Sequence, residues 1–206
     1  MITDKLFPSD RKCNCKNKKK GASSFDLQNP YDLFSEMQFS NTDTFLDLGF
    51  GAGDFLIFAA LHIGSQGKVI GLDKNESLIT AFKDKLTDLN IDINYIPIDI
   101  DCADITQTIP LDDNSIDVCL LSNVLHGIRN DNSKQIVINE ISRVLKVGGS
   151  LNVLECKKEQ MEFGPDISIR LSVDDIEQMT TEFGLIRKSY KEYEYTYLAR
   201  FEKETV

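Results

Sequence analysis

The chain has 206 residues, 41% of them hydrophobic, which suits one domain with a real core and at most a small appendage. Its formal charge of −10 argues against a phosphate-backbone partner, so no nucleic acid is expected. No apolar run reaches spanning length, the opening Met-Ile-Thr-Asp-Lys lacks a signal peptide's apolar segment, and five irregularly spaced cysteines describe no disulfide framework. A soluble cytoplasmic protein with no membrane partner is expected.

Residues 1–27 differ in character from the rest of the chain. Within residues 1–20, seven Lys/Arg against Asp4 and Asp10 give +5, so the remaining residues carry −15. Arg11 to Lys20 shows no apolar periodicity, and Gly21-Ala22-Ser23-Ser24 reads as a flexible joint. The expectation is a mobile basic arm over 1–27 and one domain over 28–206. Cys13-x-Cys15 supplies two thiols where a tetrahedral metal site needs four ligands, so it reads as a pair of exposed thiols and no metal is expected. Asn29-Pro30 then reads as a helix cap and first-turn proline, leading a short helix through Tyr31, Leu33, Phe34 and Met37.

The run Thr44-Phe45-Leu46-Asp47-Leu48-Gly49-Phe50-Gly51-Ala52-Gly53-Asp54 is the centre of the chain. A short apolar strand passes a carboxylate, then three glycines at alternate positions, then the amphipathic run Phe55 to Leu61, a helix that Gly64 can end. Strand, glycine turn and helix open a doubly wound α/β sheet, whose ligands settle beyond the strand ends. A dinucleotide turn reads Gly-x-Gly-x-x-Gly; counted from Gly49 the last glycine is Asp54, and counted from Gly51 it is Leu56. Asp54 would also set a negative charge where a helix dipole holds phosphate. No Gly-Lys-Ser/Thr is present for a nucleoside triphosphate. What remains is a bare main-chain turn against which a non-phosphate ligand can lie.

Gly67 to Asp73 is a second buried strand ending in an acid, about 20 residues past the turn, the spacing at which an acid accepts from ribose hydroxyls. Its other reading is the N-cap of the next helix, which Asn75-Glu76-Ser77 begins and Leu78, Ile79, Phe82, Leu86 and Leu89 face inward. Ile91 to Ile98 alternates apolar and polar residues, a strand expected to end near Asp99, with Asp101 and Asp104 within a register error of it. A turn at Pro110 to Ser115 leads to a fourth buried strand, Asp117–Leu121, and then the polar pair Ser122-Asn123. His126, flanked by Leu125 and Ile128, reads as a packed or capping residue, with a general base as the other reading.

Asn132-Ser133 starts a helix with Ile136, Val137, Ile141, Val144 and Leu145 inward; Gly148-Gly149 turns into a fifth strand ending at Glu155 and Cys156. The loop Met161-Glu162-Phe163-Gly164-Pro165 is placed to border a pocket. Ser172-x-x-Asp175 begins a last helix through Val173, Ile176, Met179 and Phe183, closed by Gly184. Leu185 to Tyr190 and Tyr193 to Phe201 read as two strands, the aromatic stripe of the second belonging to the core rather than to a stacking platform.

Several blocks resemble one family in the right order: Asp47-x-Gly49-x-Gly51-x-Gly53, Val69-x-Gly71-x-Asp73, Pro110-x-x-Asp113-Asn114-Ser115-Ile116-Asp117, Leu125-His126-x-Ile128, and Glu140-x-x-Arg143-Val144-Leu145-Lys146-x-Gly148-Gly149-x-Leu151. They resemble class I S-adenosylmethionine-dependent methyltransferases, in particular the small enzymes related to ubiquinone and menaquinone biosynthesis, with Val147 in place of the family's usual proline. The resemblance runs from about Phe25 to the C-terminus. It implies a doubly wound α/β fold with a seven-stranded sheet of order 3-2-1-4-5-7-6, helices on both faces and the last strand antiparallel.

It also implies a site. Asp47, Leu48, Gly49, Gly51 and Gly53 would carry the cofactor S-adenosylmethionine, Asp73 with Lys74 beside it would meet the ribose, Asp99 and Ile100 the adenine, and Ser122 and Asn123 the sulfonium. The implied reaction is in-line methyl transfer to an unidentified small molecule by a monomer or homodimer, for which a dedicated base is not obligatory. No catalytic residue is assigned. Three other readings stay open: thiol-dependent methylation of a soft acceptor such as arsenite, suggested by Cys13, Cys15, Cys102 and Cys156; a cofactor-binding protein without an acceptor site; and a nicotinamide-dependent oxidoreductase, disfavoured by Asp54.

Overall fold

The computed structural model describes Phe7 and residues 24–63, 65–89, 91 and 98–205. In chain order the elements are α1 (Pro30–Met37), β1 (Thr44–Leu48), α2 (Asp54–Ile63), β2 (Lys68–Asp73), α3 (Glu76–Asp88), β3 (Ile98–Cys102), β4 (Ile116–Ser122), α4 (Asp131–Val144), β5 (Leu145–Cys156), α5 (Val173–Thr181), β6 (Leu185–Glu192) and β7 (Thr196–Lys203). The strands form one seven-stranded sheet in the order β3-β2-β1-β4-β5-β7-β6. Pairing is parallel from β3 to β5, and β7 runs antiparallel to both β5 and β6.

Alternation along the strands divides the core. Phe45, Val69, Val118, Leu120 and Leu154 face the layer built by α1, α2 and α3, while Leu46, Leu48, Ile70, Cys119, Leu121 and Val153 face α4 and α5. The inner parallel strands β1, β2 and β4, with β5, are buried on both faces, which is why they read as largely apolar runs, whereas the edge strand β3 is not buried. Local signals set the helix starts: Asn29 caps α1, with Pro30 in its first turn, and Ser172 and Asp175 form a reciprocal capping box at α5.

Three expectations are corrected. The run after the glycine turn is not amphipathic in place: of the residues of α2, only Asp54, Leu61 and His62 escape full burial. The covering layer is the segment before β1, where Phe25 packs 5.0 Å from Phe55, Phe34 packs 4.7 Å from Phe58, and Phe7 packs 5.3 Å from Phe58. A boundary at residue 27 therefore cuts through packed structure, since Ser24–Leu27 is a 3-10 turn with Phe25 and Leu27 buried. Of the basic stretch, Cys13 and Cys15 included, Arg11 to Lys20 lie outside the described residues. Finally, Ile136 is exposed, because the stripe Val137, Ile138, Ile141 and Val144 takes the inward arc of α4.

Candidate functional site

The parallel strands β2, β1, β4 and β5 end on one edge of the sheet, and the chain leaves that edge through the glycine turn. The Gly49 N–H donates to Leu72 O at 2.7 Å and the Gly53 N–H to Phe50 O at 2.9 Å, so the turn is tied to β2 and closed on itself. Its glycines have different reasons. A Cβ on Gly49 would lie 2.8 Å from Val124 Cγ2, and one on Gly53 would lie 2.2 Å from the Phe82 ring. At Gly51, with φ +56°, a Cβ would meet only Gly49 O at 4.0 Å. Gly51 is thus bare towards open space, the condition for a ligand to lie on the main chain.

Asp73, at the end of β2, is buried and turned to the same corner. One of its carboxylate oxygens accepts the Gly51 N–H and the other the Asn75 N–H, both at 3.0 Å. The cap of α3 is Asn75, whose side chain accepts from Ser77 N–H, so Asp73 is not the N-cap and instead clamps the glycine turn. Asp54 has a comparable positional role: Lys85 Nζ bridges its carboxylate at 2.8 Å and Ala52 O at 2.9 Å, holding the turn to α3.

Asp47 is the anomaly. It is 1% exposed, and neither carboxylate oxygen has a hydrogen-bond partner among the described residues. Burial, with the neighbouring Asp73 charge adding to it, pushes its carboxyl up to about 8. A buried polar group without a partner is costly. An orphaned acid two residues before a bare glycine turn suits a cationic group lying across that turn. S-adenosylmethionine, with an ammonium and a sulfonium, has that charge and carries no phosphate, so the residues present fit it.

Asp99 and Ile100 do not join this corner. Asp99 stands in register with Ile70, three residues short of Asp73, its side chain 70% exposed and paired with Lys68 at 2.9 Å. Ile100 packs against the α3 layer. The strand does not end near Asp99; β3 continues to Cys102, which brings Asp101 and Cys102 opposite Leu72 and Asp73. Residues 92–97 of the expected strand lie outside the described residues. Cys102 donates its S–H to Lys74 O at 3.6 Å, so Lys74 sits over the end of β3.

Ser122 ends β4 and shares a 2.8 Å hydrogen bond with Ser24 Oγ, which carries the N-terminal turn across the edge. Asn123 adopts φ +55°, donates its N–H to Leu154 O at 2.7 Å, and accepts the Cys156 S–H at 3.3 Å. Three features lie beyond what the sequence announces. Ser24 falls within the expected arm yet reaches the site. His126 Nδ1 lies 2.6 Å from a carboxylate oxygen of Glu155, at the end of β5. Arg170, buried, donates to the carbonyls of Lys157, Glu159, Phe163 and Pro165 and so shapes the loop after β5. No local motif announces a contact spanning 29 residues, between Glu155 near the end of β5 and His126 in the turn Leu125–Gly127 that follows β4.

A model of the ubiE/COQ5 methyltransferase family matches residues 24–201. The chain belongs to the ubiE/COQ5 methyltransferase family. Among curated relatives, the ubiquinone/menaquinone biosynthesis C-methyltransferase UbiE of Shewanella pealeana is 32% identical over 152 residues, 73% of this chain and 56% of the relative. UbiE of Teredinibacter turnerae is 34% identical over 120 residues, 57% of this chain and 45% of the relative. The chain thus spans about half the length of the curated relatives it matches. A SAM-dependent methyltransferase from Aquifex aeolicus superposes with a TM-score of 0.77 at 22% identity, covering 86% of this chain and 90% of that one. The [4+2]-cyclase SpnF superposes with a TM-score of 0.71 at 15% identity, covering 92% and 86%. These two likenesses are of fold, and a cyclase among them shows that this fold alone does not fix a reaction.

Proposed function

We propose that the protein is an S-adenosylmethionine-dependent methyltransferase acting on a small molecule by in-line transfer. The observation that carries the reading is the orphaned Asp47 carboxylate beside the bare Gly51 main chain, on the strand-end edge of a member of this family. In this reading the cofactor supplies an electrophilic methyl group on a cationic sulfur. Gly49, Gly51 and Gly53 offer it a surface free of side chains, Asp47 answers its positive charge, and Asp73 holds the turn and keeps acceptor capacity for ribose hydroxyls. In the same reading Asp101 and Cys102, which stand opposite Leu72 and Asp73, serve the adenine in place of Asp99 and Ile100, the pair that the family resemblance implies. Ser122 and Asn123 border the acceptor side.

The relatives' names describe C-methylation in quinone biosynthesis, which makes a hydroxylated aromatic ring the acceptor class to test first. The thiol-dependent reading is not favoured. Cys102 and Cys156 end β3 and β5, with β2, β1 and β4 between them, and among the described residues no three His, Cys, Asp or Glu are grouped to hold a metal ion. Among the described residues no helix is long and apolar enough to cross a membrane.

Calorimetric titration with S-adenosylmethionine and with NAD tests the cofactor, followed by release of S-adenosylhomocysteine in a screen of hydroxylated aromatic metabolites. Binding of S-adenosylmethionine alone, with turnover of one acceptor, is expected. Binding without turnover on any acceptor would favour a cofactor-binding protein instead, and heat from NAD alone would overturn the reading.

A further inference from the structure

His126 and Glu155 form a pair that the cofactor reading leaves unused. Glu155 is 1% exposed near the end of β5, and His126 lies in the 3-10 turn Leu125–Gly127 beyond β4. The His126 ring meets one oxygen of the carboxylate at 2.6 Å, and the His126 backbone N–H donates to the other at 3.3 Å. Ring and main chain of one residue therefore hold both oxygens of one acid. A carboxylate accepts, so in the neutral ring Nδ1 carries the proton and Nε2 keeps its lone pair. No described residue hydrogen-bonds Nε2, and the side chain stays 15% exposed. The turn also begins against the glycine corner, through the contact of Val124 with Gly49.

We propose that His126 is the proton acceptor of the transfer reaction, taking the proton of the ring-hydroxyl acceptor considered above, with Glu155 as the residue that positions it. This rests on the methyltransferase reading above. The acceptor's O–H bond breaks, its proton passes to Nε2 and its electron pair stays with the ring. As the oxygen pair forms a C=O bond, a ring π pair forms the new bond from the adjacent ring carbon to the methyl carbon while the carbon–sulfur bond breaks, its electrons going to sulfur. The hydrogen on the methylated carbon returns to oxygen and restores the phenol, leaving one proton on the imidazole. Glu155 faces the imidazolium so formed. Among the described residues, Glu155 also acts on the ionisable groups of Cys156 and Tyr197, with Arg170 acting on Cys156.

The chain has two histidines, so a His62→Asn variant assigns the imidazole signals of the full-length protein. Long-range proton–nitrogen NMR with S-adenosylhomocysteine bound is expected to show His126 with Nε2 bare and Nδ1 protonated, a preference lost in Glu155→Gln. With 1,4-dihydroxynaphthalene as probe, His126→Gln should lower kcat about 100-fold or more while the Kd for S-adenosylmethionine is unchanged. Raising the pH until the probe ionises should recover much of that rate in the variant. A proton on Nε2, or a His126→Gln rate within about threefold of wild type, would overturn the proposal while cofactor binding stands. A wild-type protein giving no heat with S-adenosylmethionine would instead sink the methyltransferase reading, and this proposal with it.

Discussion

Replacing Asp47 by Asn should make the ligand-free protein more stable and its cofactor binding weaker. The Asp47 carboxyl sits at about 8 in the folded protein against an ordinary value of 3.8, with burial the main cause. The folded value is raised, so the associated stability is full below about pH 4 and is lost as pH rises through 8. Each pH unit between these values is worth about 1.4 kcal/mol. At pH 7, burying the acid therefore costs about 4 kcal/mol that Asn avoids. Asn brings its own buried, unpartnered amide at roughly 1–3 kcal/mol. The net gain is roughly 1–3 kcal/mol, or about 2–12 °C in Tm for a chain of this size. Thermal unfolding of both proteins without ligand, at pH 5 and pH 7.5, measures it. The variant's advantage should grow by roughly 3 kcal/mol between those pH values, and saturating S-adenosylmethionine should raise Tm less in the variant than in wild type. An advantage independent of pH would refute the burial argument.

Other substitutions separate the roles of neighbouring residues. Gly51→Val should abolish cofactor binding measured by calorimetry and also lower stability, since φ is +56° there, whereas Gly53→Ala should lower stability by roughly 1–3 kcal/mol in denaturant unfolding, because its Cβ would lie 2.2 Å from the Phe82 ring. Asp99→Ala should leave cofactor affinity unchanged, while Asp101→Ala should weaken it by roughly 1.5–3 kcal/mol; the reverse ranking would return the adenine to Asp99. Arg170→Met should cost several kcal/mol by leaving buried carbonyls without donors and should raise acceptor KM more than cofactor Kd in steady-state assays.

The succession of strands and helices is legible in the sequence because its signals are local, whereas the sheet order follows only from the resemblance of the motif blocks to a known family. Each strand, turn and helix start carries its own signal within about ten residues, and Asp73 is fixed by its distance from the glycine turn. The end of β3 is not legible, because Asp99, Asp101 and Asp104 offer three acids in six positions, and only pairing with β2 chooses among them. The burial of α2 is hidden for another reason: the aromatic cover from Phe7, Phe25 and Phe34 is distant in sequence. Asp47 stands out as a motif residue, but its lack of partners is a property of the packed corner. The His126–Glu155 contact likewise exists only once β4 and β5 lie side by side.

The most direct measurement is a crystal structure of the full chain soaked with S-adenosylhomocysteine. Density is expected on the Gly51 main chain, with the ligand's amino group reaching Asp47 directly or through one water and its ribose at Asp73. Density elsewhere, or a corner filled by a protein side chain with Asp47 still unpartnered, would contradict it.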